Sequence, residues 1–182
     1  MVDIYKLKFT ILQQEILRFL FVKAGVSFNA RGIARSLGVS QTAVSKALPL
    51  LEKESLVEVK KDADSGRWAI RLNRSNPRTI ALKRAENQKM LYESGALSFI
   101  EDELAGATII LFGSYSRGDD TTASDIDIAV IGRKEKKLDL LRFEKILERN
   151  IRLNFYPSIV EIHKDLRENI LNGIVLSGGI EL

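Results

Sequence analysis

The sequence predicts an α+β chain of two modules. Three helices and a β-hairpin stand in front, and an α/β domain built on a small mixed sheet follows. Three observations predict this. Apolar residues recur at helical spacing up to about residue 54 and alternate from 57 to 72. Beyond residue 104, short β-branched runs alternate with helical ones. The charge divides in the same place: residues 1–76 carry 13 Lys+Arg against 7 Asp+Glu, and residues 77–182 carry 15 against 17. A net charge of +4 therefore conceals a front of +6 and a back of −2, as expected of two modules with different partners.

In the front module, Ile11, Leu12, Ile16, Phe19 and Leu20 mark a helix over 11–24, ended by Gly25. Asn29 caps a second helix with Ile33, Ala34 and Leu37 inward, and Gly38 allows a tight turn. Ser40 caps a third helix over Gln41–Glu54, whose stripe is Val44, Ala47, Leu48 and Leu51. Pro49 inside that span predicts a kink or an earlier end. Val57 and Val59, then Trp68, Ile70 and Leu72, alternate with polar residues around the turn-rich KKDADSG. These are the parts of a winged helix.

Composition narrows the chemistry. With 45% apolar and 29% charged residues, the chain reads as an ordinary globular protein. No apolar run is long enough to span a bilayer and no secretory signal opens the chain, so a cytoplasmic protein is expected. There is no cysteine and one histidine, His163, which excludes thiolate and multi-histidine metal sites and leaves carboxylate-bound hard cations.

The string FNARGIARSLGVSQTAVSKALPLLEKESLVEV resembles the helix-turn-helix core of winged-helix transcription regulators of the MarR/ArsR-like kind. The resemblance implies that the helix after LGVS lies in the major groove of double-stranded DNA. Gln41, Thr42, Ser45 and Lys46 would face the bases and phosphates. Lys60, Lys61, Arg67 and Arg71 on the wing would meet the backbone or minor groove. A homodimer is expected of such a module.

NRSNPRT, residues 73–79, marks the join, so the expected domains are 1–76 and 77–182. A connecting helical stretch to about Leu104 should break near Ser94–Gly95. Its first half, ALKRAENQKML, is polar enough to be a connector or an oligomer contact.

The segment ATIILFGSYSRGDDTTASDIDIAVIG carries the chemistry. Thr108–Phe112 reads as a buried strand cut short by Gly113–Ser114. Asp125–Ile131 reads as a second strand with Asp125 and Asp127 on one face. Two carboxylates on an otherwise apolar strand are costly unless cations neutralise them. Magnesium binds one or two carboxylates together with substrate phosphates, and a glycine followed by a hydroxyl admits a phosphate to the backbone.

Gly-Ser, ten intervening residues and Asp-x-Asp together resemble the DNA polymerase β-type nucleotidyltransferase superfamily, and most of all its small prokaryotic members. These include domains that accompany HEPN toxins or sit beside DNA-binding modules. The resemblance implies that Gly113 and Ser114 hold the β/γ-phosphates, with Arg117 near phosphate, and that Asp125 and Asp127 bind Mg²⁺ or Mn²⁺. It also implies a third acid on a later strand. After a helix over Leu138–Arg149, the segment Phe155–Ile162 reads as that strand, which makes Glu161 the catalytic and metal-binding candidate and Asp165 the fallback.

The expected activity is transfer of an NMP, AMP from ATP being favoured over other NTPs, to a protein or RNA acceptor, coupled to DNA binding as in an autoregulating antitoxin. The alternative is a DNA-binding regulator whose second domain binds nucleotide without transferring it.

Overall fold

In the computed structural model, which describes residues 7–61 and 68–180, the chain divides into two units, Met1–Thr79 and Ile80–Leu182. The first contains α1 (Ile11–Val22), α2 (Ala30–Leu37), α3 (Gln41–Lys53) and a hairpin of β1 (Val57–Lys61) and β2 (Trp68–Leu72). Thr10 and Gln13 form a reciprocal capping box that starts α1. Asn29 accepts from the Gly32 amide to start α2, and Ser40 accepts from the Ala43 amide to start α3. Each such cap is worth about 1 kcal/mol. The wing is antiparallel, with Val57 opposite Leu72 and Lys61 opposite Trp68. Phe28 bridges to Ile70 and ties the wing to the segment before α2.

One core joins these parts: Ile16, Leu20, Ile33, Val44, Leu51, Leu56 and Ile70 are essentially inaccessible. Two details depart from the sequence reading. Ile11 is exposed rather than inward. The third helix runs unbroken through Pro49, whose exposed position makes the ring cost one backbone hydrogen bond and no core space.

The second unit begins within α4 (Pro77–Glu93), followed by α5 (Ala96–Glu103) after a break at Gly95. The sheet comprises β3 (Thr108–Phe112), β4 (Ile126–Ile131), β5 (Ile151–Tyr156) and β6 (Ile174–Ser177), in the order β5-β4-β3-β6. It is mixed: β3 pairs antiparallel with both β4 and β6, and β4 pairs parallel with β5. The short α6 (Gly113–Arg117) follows β3 directly, α7 (Leu141–Leu147) lies between β4 and β5, and α8 (Lys164–Leu171) precedes β6. On one face of the sheet, Ile110, Phe112 and Ala129 pack with Ile159, Ile162 and Ile170.

The polar first half of α4 is not a solvated connector. Lys83 and Asn87 are fully buried. Lys83 ion-pairs with buried Asp120, and Asn87 donates to Asp120 Oδ1 at 2.8 Å and to the Tyr115 carbonyl at 2.9 Å. Arg149 approaches the other oxygen of Asp120 at 3.6 Å. Gly118, at φ +81°, presses its backbone against this helix: a Cβ there would lie 2.5 Å from the Ile80 carbonyl oxygen. The loop after α6 is thus clamped by charge on one side and by backbone contact on the other.

Removing one member of a buried ionic group leaves its partners uncompensated and typically costs 3–5 kcal/mol. Asp120→Ala is therefore expected to destabilise the second unit by about that amount in urea unfolding followed by circular dichroism. A loss below about 1 kcal/mol would contradict the role given to this cluster.

Candidate active site and nucleic-acid interface

The end of β3 and the start of β4 bring the predicted residues together. Phe112 is the register partner of Asp127, so the turn at Gly113 lies beside the Asp127 side chain. Gly113 has φ +75°, and a Cβ placed on it would sit 2.8 Å from Asp127 Oδ2. Two constraints therefore demand glycine: the left-handed backbone, and the space that the carboxylate fills. Ser114, half-buried, is the second residue of α6, while Ser116 donates back to the Gly113 carbonyl at 2.8 Å and tightens the turn.

Asp125 lies just before β4 rather than in it. Both of its oxygens are engaged. Asn150 donates to Oδ1 at 3.1 Å, and the Arg152 guanidinium lies 2.8 Å from Oδ2. The Asp127 carboxylate accepts no hydrogen bond from the described residues, although its backbone is paired in the sheet. Burial raises its carboxyl pKa above the ordinary value; the Arg152 charge opposes this and the Asp125 charge adds to it. Tyr156, on the same face of β5, has its phenol shifted up by burial and by the nearby Asp127 charge. A cleft of about 430 Å³ opens beside Asp125, lined by Thr122, Ser124, Glu144, Arg149 and Asn150 among others.

Arg117 ends α6, exposed, and its guanidinium reaches Asp119 at 3.2 Å and Asn169 at 3.4 Å.

The strand expected to carry the third acid is a correction. The strand beside β4 is Ile151–Tyr156, not Phe155–Ile162, and it ends before Pro157. Ile151, Leu153 and Phe155 alternate with Arg152, Asn154 and Tyr156, so Asp127's neighbour in register is Arg152. Glu161 lies in an exposed turn beyond the strand, where it accepts from Ser158 at 3.1 Å. Asp165 is exposed in the first turn of α8. Among the described residues, no group of three or more carboxylate or histidine side chains gathers to hold a metal. The donor set therefore fits a cation that takes Asp125 and Asp127 and completes its shell with phosphate and water. It does not supply a third carboxylate.

The geometry finds a counterpart in known families. Residues 94–176 match the model of the nucleotidyltransferase domain family. The match lies wholly within the second unit and contains the Gly113 turn, both aspartates and β5, but omits Lys83 and Asn87 of α4. No curated protein matches the chain significantly. Among solved structures, a mutant of Lactococcus lactis ZitR is 18% identical over 58% of this chain and 68% of its own, with a TM-score of 0.43. A Staphylococcus aureus MepR–DNA complex is 23% identical over 51% of this chain and 64% of its own, with a TM-score of 0.38. At those scores the winged helix rests on its own elements: capped α2 and α3, the tight turn at Gly38, and the paired wing.

In the first unit, Gln41, Thr42, Ser45 and Lys46 are all exposed on α3. Gln41 and Ser45 line a cleft of about 640 Å³ with Arg31, Glu52 and Trp68. The wing cations are less available than their number suggests. Lys60 and Arg71 both pair with Glu58, each at 2.9 Å, and hold its carboxyl below the ordinary range. Lys61 is exposed, and Arg67 falls outside the described residues. Among the described residues, no helix is long and apolar enough to cross a membrane.

The Asp127 shift has a consequence for stability. A carboxyl whose folded pKa is raised contributes stability below its unfolded pKa and loses it as pH rises through the folded value. Ionised Asp127 therefore costs the ligand-free protein stability at neutral pH. Asp127→Asn is expected to raise Tm at pH 7, with the difference from wild type shrinking as pH falls toward 4. A constant difference across that range would contradict this electrostatic account.

Proposed function

We propose that the second unit binds a magnesium–nucleoside triphosphate and transfers its nucleotidyl group to an acceptor hydroxyl, AMP from ATP being the favoured case. The observation that carries this reading is the Asp125–Asp127 pair beside a glycine turn that only an unsubstituted backbone can make, within a segment matching nucleotidyltransferase domains. Gly113 and Ser114 would approach the β/γ-phosphates, while Asp125 and Asp127 would hold the cation. Bound there, the cation supplies charge neutralisation at the α-phosphorus and the leaving pyrophosphate. The acceptor oxygen would bond to the α-phosphorus as its proton passes to solvent, the α–β phosphoanhydride bond breaks, and pyrophosphate leaves. The chain's own part is to position the triphosphate and to present the two carboxylates to the cation. A protein or an RNA end supplies the acceptor.

One observation favours a second reading. β5, the strand beside the aspartate pair, carries Arg152 in register with Asp127 and no carboxylate. A regulator that senses nucleotide through the same residues, without transfer, is consistent with that strand. Incubation with [α-³²P]ATP and Mg²⁺ in native lysate separates the two. Labelling of an acceptor, lost in Asp125→Asn/Asp127→Asn, supports transfer. Nucleotide binding without label supports the sensor, and no binding at all overturns both.

For the first unit we infer binding to double-stranded DNA through α3 and the wing, as a homodimer. The exposed Gln41, Thr42, Ser45 and Lys46 support it, as does the formal +6 of residues 1–76. Lys46→Ala is expected to weaken binding to the upstream region of its own gene and to reduce the slope of log affinity against log salt by about 1 if Lys46 meets a phosphate. Binding that ignores salt would overturn this reading.

A further inference from the structure

We propose that Arg152 is the residue that a metal ion must displace: it holds Asp125 in the metal-free protein and, once exchanged, meets the incoming triphosphate. The proposal rests on the reading of Asp125 and Asp127 as the cation ligands and deepens it.

Four observations converge on it. Each oxygen of Asp125 already has a partner, Oδ1 Asn150 and Oδ2 Arg152, so a cation approaching Oδ2 competes with the guanidinium for that oxygen. Asn150 precedes β5, and its neutral amide can stay and orient the carboxylate. A guanidinium and a metal ion on one oxygen repel each other, so metal binding favours the departure of Arg152. The Arg152 side chain is 67% exposed, and it stands on β5, an edge strand paired only with β4. An ion pair in that setting is weak enough to open, and a long side chain has room to move. Finally, Arg152 is the register partner of Asp127, on the face where the Gly113 turn would admit phosphate.

A guanidinium freed there has one good destination. Its planar fork of donors suits phosphate oxygens, for which it is better shaped than for the single carboxylate oxygen it now touches. Metal and triphosphate should therefore bind cooperatively. The cation releases Arg152, the triphosphate gives it a new partner, and each ligand lowers the cost of the other. By this account, Arg152 is a positioning residue that makes the site prefer the metal–nucleotide complex to either component.

The test uses the full chain, with Mn²⁺ as the cation probe and an ATP analogue whose α–β bridge cannot be cleaved. Isothermal titration of Mn²⁺ alone is expected to give about five- to tenfold tighter binding in Arg152→Ala than in wild type, the size expected from removing one competing charge at a solvated site. Binding of the analogue in saturating Mn²⁺ is expected to move the opposite way, weakening by a similar factor. Arg152→Lys should retain the competition for Asp125 and recover only part of the phosphate affinity. Affinities that fall together in Arg152→Ala, or Mn²⁺ binding that does not tighten, overturn the proposal, because a structural role would produce either pattern. The site reading fails separately if Asp125→Asn/Asp127→Asn leaves analogue binding in the wild-type background intact. Absence of Mn²⁺ and analogue binding in wild type and variant alike overturns both. Circular dichroism of each variant confirms that it is folded.

Discussion

The candidate site depends on a buried charge cluster rather than on the sheet alone. Lys83, Asp120 and Arg149 meet in the buried interior, with Asn87 donating to the same Asp120 oxygen that Lys83 meets. Bare charges at that depth would be prohibitive, so they persist only as a set. The set joins α4 to the loop between α6 and β4, and it reaches the residue just before Asn150. Asn150 in turn holds Asp125. One polar cluster therefore fixes both ends of the ten residues that separate Ser114 from Asp125. The antiparallel pairing of β3 and β4 then fixes Asp127 against Gly113.

Much of the fold was legible in the sequence because local chemistry dictated it. Asn29, Gly38 and Ser40 announced their turns by the hydrogen bonds and φ values that only such residues supply. Thr108–Phe112 was legible as a strand because a short β-branched run ended in glycine. The Gly-Ser and Asp-x-Asp pair was legible because its spacing is chemical. What failed was information carried by tertiary contact. Lys83 and Asn87 read as part of a connector or an oligomer contact because their partner, Asp120, lies 37 and 33 residues away. β5 was legible in principle, since Ile151, Leu153 and Phe155 alternate, but a strand placed to carry Glu161 begins four residues too late. Pro157 marks where pairing stops.

The charge split also takes a different meaning in three dimensions. Glu58 absorbs Lys60 and Arg71, and Glu54 absorbs Lys8 and Arg78. Hydrogen bonds from Lys8 and then Arg78 hold the Glu54 carboxyl below the ordinary range, as those from Lys60 and Arg71 do for Glu58. The net +6 already subtracts Glu54 and Glu58, so these pairs leave it unchanged and instead hold Lys8, Lys60 and Arg71 beside carboxylates. The −2 of residues 77–182 is misleading at the site, where Arg152 offsets Asp125.

The Gly113 turn carries an implication for how such a site can be lost. The space where a Cβ would stand is taken by the Asp127 carboxylate, so these two positions do not vary independently. A larger residue at 113 first meets Asp127, whereas a smaller residue at 127 frees that space and leaves only the backbone strain. Decay of the site is therefore ordered. The carboxylate can go while the glycine remains, but the glycine cannot go first without displacing the carboxylate. A descendant of this chain that retains Gly113 but lacks Asp127 would stand on the permitted path; the reverse combination would be rare.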